Sequence, residues 1–385
     1  MQTVVENVTV VDADSYDQQC VDSAIQQIFD NYPDAIAKDS RVFVKLNLVR
    51  DMTPDKAGTT HPAVVSAIVK ALERYTTKIV VGDSSGGAYT AGYMHSVYDK
   101  CGITDAIKGT SAVLNNDFGY TTCAVDGRVS RKLDIIDSFV NADVVINVGK
   151  LKTHSFTGYT GVVKNLYGLL PGLVKVEYHS KFPHLSTFCD LLMDIEKFAH
   201  DKIVLNIIDA IVGMEGAGPT NGTPRHIGKL IACPDAYKCD VVAVSLFNDP
   251  LRMPLLRKAV ERAIVSEQFV ADAVQAMKPF YIEDYKRVDV IDDGVFLKMP
   301  NWLGKLMKRN LTPNVTIQSN CRACAKCKNH CPASAITIVN KRAVVDSNKC
   351  IRCFCCQELC PFDAIKLKKP LLYRITRSLS HSKKH

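Results

Sequence analysis

In residues 1–240, short β-branched runs alternate with stretches whose apolar positions recur three and four residues apart. RVFVKLNL (41–48), KIVVGDS (78–84), DVVINVGK (143–150) and IVLNIIDAIVG (203–213) read as strands, and PAVVSAIVKALERY (62–75) reads as an amphipathic helix. That order predicts an α/β fold, with a largely parallel sheet in an N-terminal domain of residues 1–298. The spacing in MPLLRKAVERAIVSEQFVADAVQAMKPF (253–280) adds a helical segment at about 249–290.

Predicted strands end in polar or glycine-bearing turns at 45–47, 82–87, 150–154 and 213–216. In open parallel sheets the carboxyl ends of the strands line the ligand crevice, so a site is expected there, with loop 155–161 as its lid.

After residue 298 the pattern changes. A basic connector (299–313) leads to a small α+β module (314–366) and a basic tail (367–385). Within the module, AITIVNKRAVVD (335–346) reads as a hairpin turning at Asn340 and Lys341.

Nine of the fifteen cysteines lie between positions 321 and 360. Cys321, Cys324, Cys327 and Cys331 precede Pro332, and Cys350, Cys353, Cys356 and Cys360 precede Pro361 at the same spacing. Three cysteines two residues apart grip three irons of a cubane, and the fourth ligand comes from the other motif. This predicts two 4Fe-4S clusters, one on Cys321, Cys324, Cys327 and Cys360, the other on Cys350, Cys353, Cys356 and Cys331. The alternative is structural zinc in two four-cysteine sites, but zinc knuckles carry two cysteines, not three. Cys355 falls outside the four-plus-four count and reads as a small buried residue.

Cysteines at ligand spacing imply a reducing compartment, and the N-terminus lacks a basic flank and apolar core. A cytoplasmic protein is expected. Residues 301–385 hold 17 Lys and Arg against 3 Asp and Glu, within a net charge of +8 for the chain. This basic end, with Trp302, Lys305, Lys308 and Arg309 on an amphipathic turn, suits an acidic protein partner or an anionic membrane surface.

The chain resembles the domain of unknown function 362 family, in which an α/β domain is often fused to a two-cluster ferredoxin module. The residues carrying the resemblance are Lys45-x-Asn47, His61-Pro62, the turn at 82–87, Lys150-x-Lys152-Thr153-His154, Lys164-Asn165-x-x-Gly168, Asp209-x5-Glu215-Gly216-x-Gly218-Pro219, and the second cysteine motif. The resemblance implies the fold and a redox character but supplies no substrate.

The residues themselves suggest an anion site. Lys45, Asn47, Asp83, Ser84, Lys150, Asn165 and Glu215 are candidate binding residues, and His61, His154, Lys152 and Lys164 candidate catalytic ones. Singly, each lysine is an ordinary solvated side chain; four in Asn- and Gly-bearing motifs point to a site. No Gly-x-Gly-x-x-Gly or intact phosphate loop accompanies them, and nucleic acid is not an expected partner.

Three functions fit. The first is an anaerobic reductase: an electron-donor protein of ferredoxin or flavodoxin type reduces the clusters, and electrons pass to an anionic small molecule in the N-terminal crevice. The second is a non-enzymatic electron carrier or assembly subunit that docks a larger redox enzyme. The third is a non-redox enzyme whose clusters serve as structure or sensor.

Overall fold

The computed structural model describes residues 2–370, so most of the expected basic tail, 371–385, lies outside the described residues. The described residues form two compact units, one within Met1–Val174 and Asp190–Val288, the other within Lys175–Cys189 and from Asp289 onward. The second unit thus takes in a short excursion, residues 175–189, from the middle of the chain, which the pattern of alternation does not announce.

The first unit is built on one sheet. Its strands are β1 (Gln2–Val5), β2 (Val8–Asp12), β3 (Val42–Lys45), β4 (Ile79–Gly82), β5 (Val113–Leu114), β8 (Val144–His154), β9 (Gly158–Thr160), β10 (Ile203–Glu215) and β11 (Thr223–Cys233). Strands β6 (Tyr120–Ala124) and β7 (Lys132–Ile136) form a separate hairpin. The order is β1-β2-β11-β10-β8-β3-β4-β5. From β10 to β5 every pairing is parallel, whereas β1, β2 and β11 form an antiparallel wing. The β-branched runs explain this arrangement, because strands covered on both faces tolerate continuous apolar sequence.

Helices Gln18–Asn31 and Pro62–Leu72 cover one face, packing Val21, Ile25, Ile28, Val64, Ile68 and Leu72 against Val44, Ile146, Val148 and Leu205. Asp17 caps the first helix, accepting from the backbone N–H groups of Gln19 and Cys20, and Pro62 opens the second at the position that needs no donor. The helical segment consists mainly of Pro254–Glu261 and Glu267–Met277.

The expected lid is a correction. Residues 158–160 are strand β9, which pairs antiparallel with Lys152, Thr153 and His154, and loop 155–161 is buried throughout. Extending β8 to His154 gives the segment a hydrogen-bonding edge, so it belongs to the sheet.

In the second unit the connector folds as helix Asn301–Leu311. Strand β12 (Asn314–Ile317) pairs with β15 (Ile365–Lys368), and β13 (Ile336–Val339) with β14 (Arg342–Val345). Asn340 and Lys341 both take positive φ, the conformation a two-residue hairpin turn demands.

Candidate metal centre and a buried polar site

The doubled cysteine motif is doubled in the backbone as well. Positive φ occurs at Ala323, Ala325 and Ser334, and again twenty-nine residues on at Arg352, Phe354 and Asp363. The left-handed region costs a non-glycine residue about 1–2 kcal/mol. Its recurrence in register marks two loops shaped alike to turn their sulfurs inward.

One cavity is lined by Cys321, Cys324, Cys327 and Cys360, with Ile338, Ala343, Phe362 and Ile365. A second is lined by Cys331, Cys350, Cys353 and Cys356, with Val315, Ile336, Val345 and Phe354. The lining of each cavity thus includes three sulfurs from one motif and one from the other. The backbone N–H of Ala335 donates to Cys331 Sγ at 3.2 Å, and that of Ala364 to Cys360 Sγ at 3.4 Å. Such donors stabilise negative charge on sulfur, so the residues present fit a thiolate-ligated cluster. Among the described residues no three His, Cys, Asp or Glu converge as the shell of a single metal ion would. Cys355 is buried.

Arg352, between two ligand positions, is buried and donates to the carbonyl oxygens of Lys308, Arg309 and Thr312 at 2.7–2.9 Å and to Asn314 Oδ1 at 2.7 Å. A guanidinium there satisfies the open carbonyls at the C-terminus of helix Asn301–Leu311 and ties that helix to the second cysteine loop.

The first unit gathers its polar residues at the carboxyl ends of β3, β4, β8 and β10. Lys45 is wholly buried, with Nζ 2.6 Å from Asp83 Oδ1 and 2.7 Å from the carbonyl oxygen of Leu46. Asp83 also accepts from the N–H groups of Leu48 and Ser84. Gly168 is required here: a Cβ at that position would stand 2.5 Å from both Lys45 Nζ and Asp83 Oδ1. Ser84 Oγ accepts from the Gly172 N–H.

Lys150 lies opposite Asp209 in the β8–β10 register, Nζ to Oδ2 2.8 Å, and also donates to Tyr16 Oη at 2.6 Å. Asp209 accepts from Tyr16 Oη at 2.8 Å and from the His61 N–H at 3.0 Å as well. The His61 ring stacks on Tyr16, centroids 3.5 Å apart and planes 8° from parallel. Its Nδ1 accepts from the Ala63 N–H, capping helix Pro62–Leu72, so the neutral ring carries its hydrogen on Nε2. Burial pushes the His61 pKa down to about 4 against the pull of Asp209, with Lys150 adding to the fall. Burial likewise lowers the pKa of Lys45 and Lys150 despite their carboxylate partners.

Lys152 donates to Asn47 Oδ1 and the Gly58 carbonyl oxygen. From Asn47 a chain of amides runs inward: Asn47 donates to Asn165, Asn165 to Asn147 and Asn147 to Asn206, each at 2.7–2.8 Å, and Asn206 donates to the Pro234 carbonyl oxygen. All four asparagines are buried. Each amide spends its oxygen on the preceding donor and its N–H on the next acceptor, which removes the desolvation penalty of burying it.

The remaining candidates are spread around this core. His154 Nδ1 accepts from the Phe156 N–H, Glu215 accepts from the Lys286 N–H, and Lys164 places Nζ 5.7 Å from the Tyr167 ring centroid. Asp240 accepts from the N–H groups of Val162 and Val163 and from Tyr159 Oη, which anchors the turn carrying Lys164 and Asn165; burial raises its pKa to about 7.

Tyr16, Asn147, Asn206 and Asp240 were absent from the sequence-based set. Asn147 and Asn206 did leave a signal, a polar residue in the middle of each of two β-branched runs. Tyr16 left none, since its partner Asp209 is 193 residues away.

A family model described as Domain of unknown function (DUF362) matches residues 42–245, and one described as a 4Fe-4S dicluster domain matches residues 314–361. A thylakoid-associated protein of Synechocystis is 28% identical over 259 residues, 66% of this chain and 78% of that protein. One component of an ion-translocating oxidoreductase complex from Methanosarcina acetivorans is 42% identical over 48 residues, 12% of this chain and 18% of that protein. Among solved structures, the lactate racemase apoprotein of Thermoanaerobacterium thermosaccharolyticum aligns at 15% identity and TM-score 0.37, over 60% of this chain and 56% of that one. A Thermotoga maritima protein aligns at 12% identity and TM-score 0.34, over 56% and 55%. This chain therefore spans little more than half of either solved structure. No helix of the described residues is long and apolar enough to cross a membrane.

Proposed function

This chain belongs to the domain of unknown function 362 family, whose description carries no activity, and from that premise we propose that it is an anaerobic, cytoplasmic iron–sulfur reductase. The observation that carries the reading is the crossed cysteine arrangement, two apolar cavities each lined by four sulfurs drawn from both motifs. Cys321, Cys324, Cys327 and Cys360 hold one 4Fe-4S cluster, and Cys350, Cys353, Cys356 and Cys331 the other; each, when bound, takes up and releases single electrons. The electrons come from a donor protein of ferredoxin or flavodoxin type.

The acceptor is an anionic small molecule held by the first unit. Lys45, Lys150 and Lys152, buried and fixed by Asp83, Asp209 and Asn47, form a rigid electrostatic frame behind the site and act on the anion through their field, without direct contact. Half-buried His61 presents an Nε2–H, and Lys164 and His154 complete the polar surround. Burying this many charges is costly, and such concentrations are typical of functional sites.

A second reading, an electron carrier or assembly subunit docked to a larger redox enzyme, is favoured by one observation: Lys45, Lys150 and Lys152 already have internal partners. Similarity of a 48-residue stretch to a component of an ion-translocating oxidoreductase complex suits it too.

The discriminating experiment uses anaerobically purified, pre-reduced protein mixed with size-fractionated small anions from cell extract. A reductase predicts one fraction that reoxidises the wild type rapidly and the Lys152→Ala variant slowly, at equal iron content. Reoxidation by no fraction, together with co-purification of a large redox complex, supports the second reading.

A further inference from the structure

The second unit contains a recess that the cysteine cavities leave unexplained. It has a volume of about 440 Å³ and is lined by Pro183 and His184, by Trp302, Leu306, Lys308 and Arg309 of helix Asn301–Leu311, and by residues 347–352 of the second cysteine loop. Trp302 is 71% exposed and Leu306 48%, so two large apolar side chains stand open at its wall. Arg309 and Lys349 are exposed beside them, and Cys350, a ligand candidate, forms part of the lining.

The cations here differ in their engagement. Lys308 is committed to Asp293 at 3.1 Å and to the Pro183 carbonyl oxygen at 2.8 Å, His184 shares Asp293, and Arg352 is spent on the helix end. Among the described residues Arg309 reaches Asn348 Oδ1, at 3.4 Å, and its side chain is otherwise exposed. Residues 301–370 carry thirteen Lys and Arg against three Asp and Glu. An apolar anchor inside a cationic rim is the composition of an interface hot spot with electrostatic steering.

Resting on the reductase reading, we propose that this recess is the docking surface for the electron donor, and that the donor is a small acidic one-electron carrier protein. The carrier seats an apolar protrusion on Trp302 and Leu306, and its carboxylates meet Arg309 and Lys349. Docking there brings its redox group to the Cys350 side of the second cluster. One electron leaves the reduced carrier, which is oxidised by one equivalent, and enters the cluster, which is reduced by one; no bond forms or breaks. A bilayer fits less well, because the exposed tryptophan and leucine line a concavity and a lipid surface has no protrusion to fill it.

The test uses full-length, cluster-loaded protein and an acidic flavodoxin as probe. Calorimetric titration of wild type is expected to show binding that weakens as salt rises. Arg309→Glu with Lys349→Glu should weaken it by about tenfold or more, and Trp302→Ala should weaken it with the salt dependence retained. Lys341→Glu with Lys368→Glu, the same charge change on a different part of the second unit, should leave binding near wild type. Stopped-flow reduction by the flavodoxin should slow in parallel, while reduction by titanium(III) citrate stays unchanged, which reports intact clusters independently of docking. Equal weakening by the control pair would reduce the effect to net charge and overturn the proposal, as would unchanged binding in the recess variants. Flotation with phosphatidylglycerol vesicles that is lost in Trp302→Ala, with no flavodoxin binding, would assign the surface to lipid instead. If wild type lacks iron, the reductase reading fails first, and that result is distinguishable from loss of binding in iron-replete variants.

Discussion

The two polar centres of this molecule solve the burial problem in opposite ways. In the first unit every charge at the strand ends meets a counter-group supplied by the chain, such as Asp83 for Lys45 and Asp209 for Lys150. Beneath them lies an apolar cluster that includes Val44, Ile68, Ile146 and Leu205. In the second unit a small apolar cluster with Cys360, Ala364 and Ile365 as its buried members stands behind the first cavity. Eight cysteines line the two cavities there, and gathering that many as thiolates is stabilised by binding metal. The first unit is therefore preorganised by its own sequence, whereas on the proposed reading the second is completed by the clusters it binds.

This contrast makes the cysteine loops the most sensitive part of the chain. Cys331→Ser or Cys360→Ser should each remove the cluster nested with the opposite motif, lowering iron from about eight to about four atoms per chain, whereas Cys355→Ser should leave both clusters. Iron and acid-labile sulfide assays check this, and loss of a cluster in Cys355→Ser would show that the ligand sets are wrong.

Next in size is the buried ion pair. Lys150→Met leaves Asp209 charged and buried, and should destabilise the first unit by about 3–5 kcal/mol. The double variant Lys150→Met with Asp209→Leu should recover much of that loss. Urea unfolding followed by circular dichroism measures both; an additive double variant would mean that the two groups do not act as a pair. Asn147→Ala interrupts the amide chain and should cost about 1–3 kcal/mol by the same measurement, because Asn165 and Asn206 lose their partner.

The smallest effect is a pH slope. Folded His61 takes a proton only near pH 4, and unfolded near 6.5. Between these values the unfolded chain binds more protons, so the stability held above pH 6.5 falls as pH drops towards 4 and levels off below it. His61→Gln should flatten that segment of the stability curve, and an unaltered slope would show that the imidazole is accessible to protons in the folded state.

What was legible in the sequence follows from the range of the interactions. The 4Fe-4S dicluster module could be read because cubane geometry imposes a local spacing on its cysteines, and the hairpin because Asn340 readily takes positive φ. The carboxyl ends of the strands were legible as the gathering place of polar groups. The state of the lysines was not: a lysine after a strand reads as solvated, and its burial depends on an acid or amide 38, 59 or 105 residues away. Loop 155–161 was misread as a lid because its pairing with β8 is set by tertiary register and not by its glycines. The helix at 301–311 was obscured by its basic composition; its C-terminus is secured by Arg352, some forty residues on.

The most direct test of the account is the metal content of anaerobically purified full-length protein, read with its electron paramagnetic resonance spectrum after reduction. Two cubanes predict about eight irons and eight acid-labile sulfides per chain, with the signal of two interacting reduced 4Fe-4S clusters. Stoichiometric zinc with little iron or sulfide would contradict it, and would reassign the eight cysteines to structural metal sites.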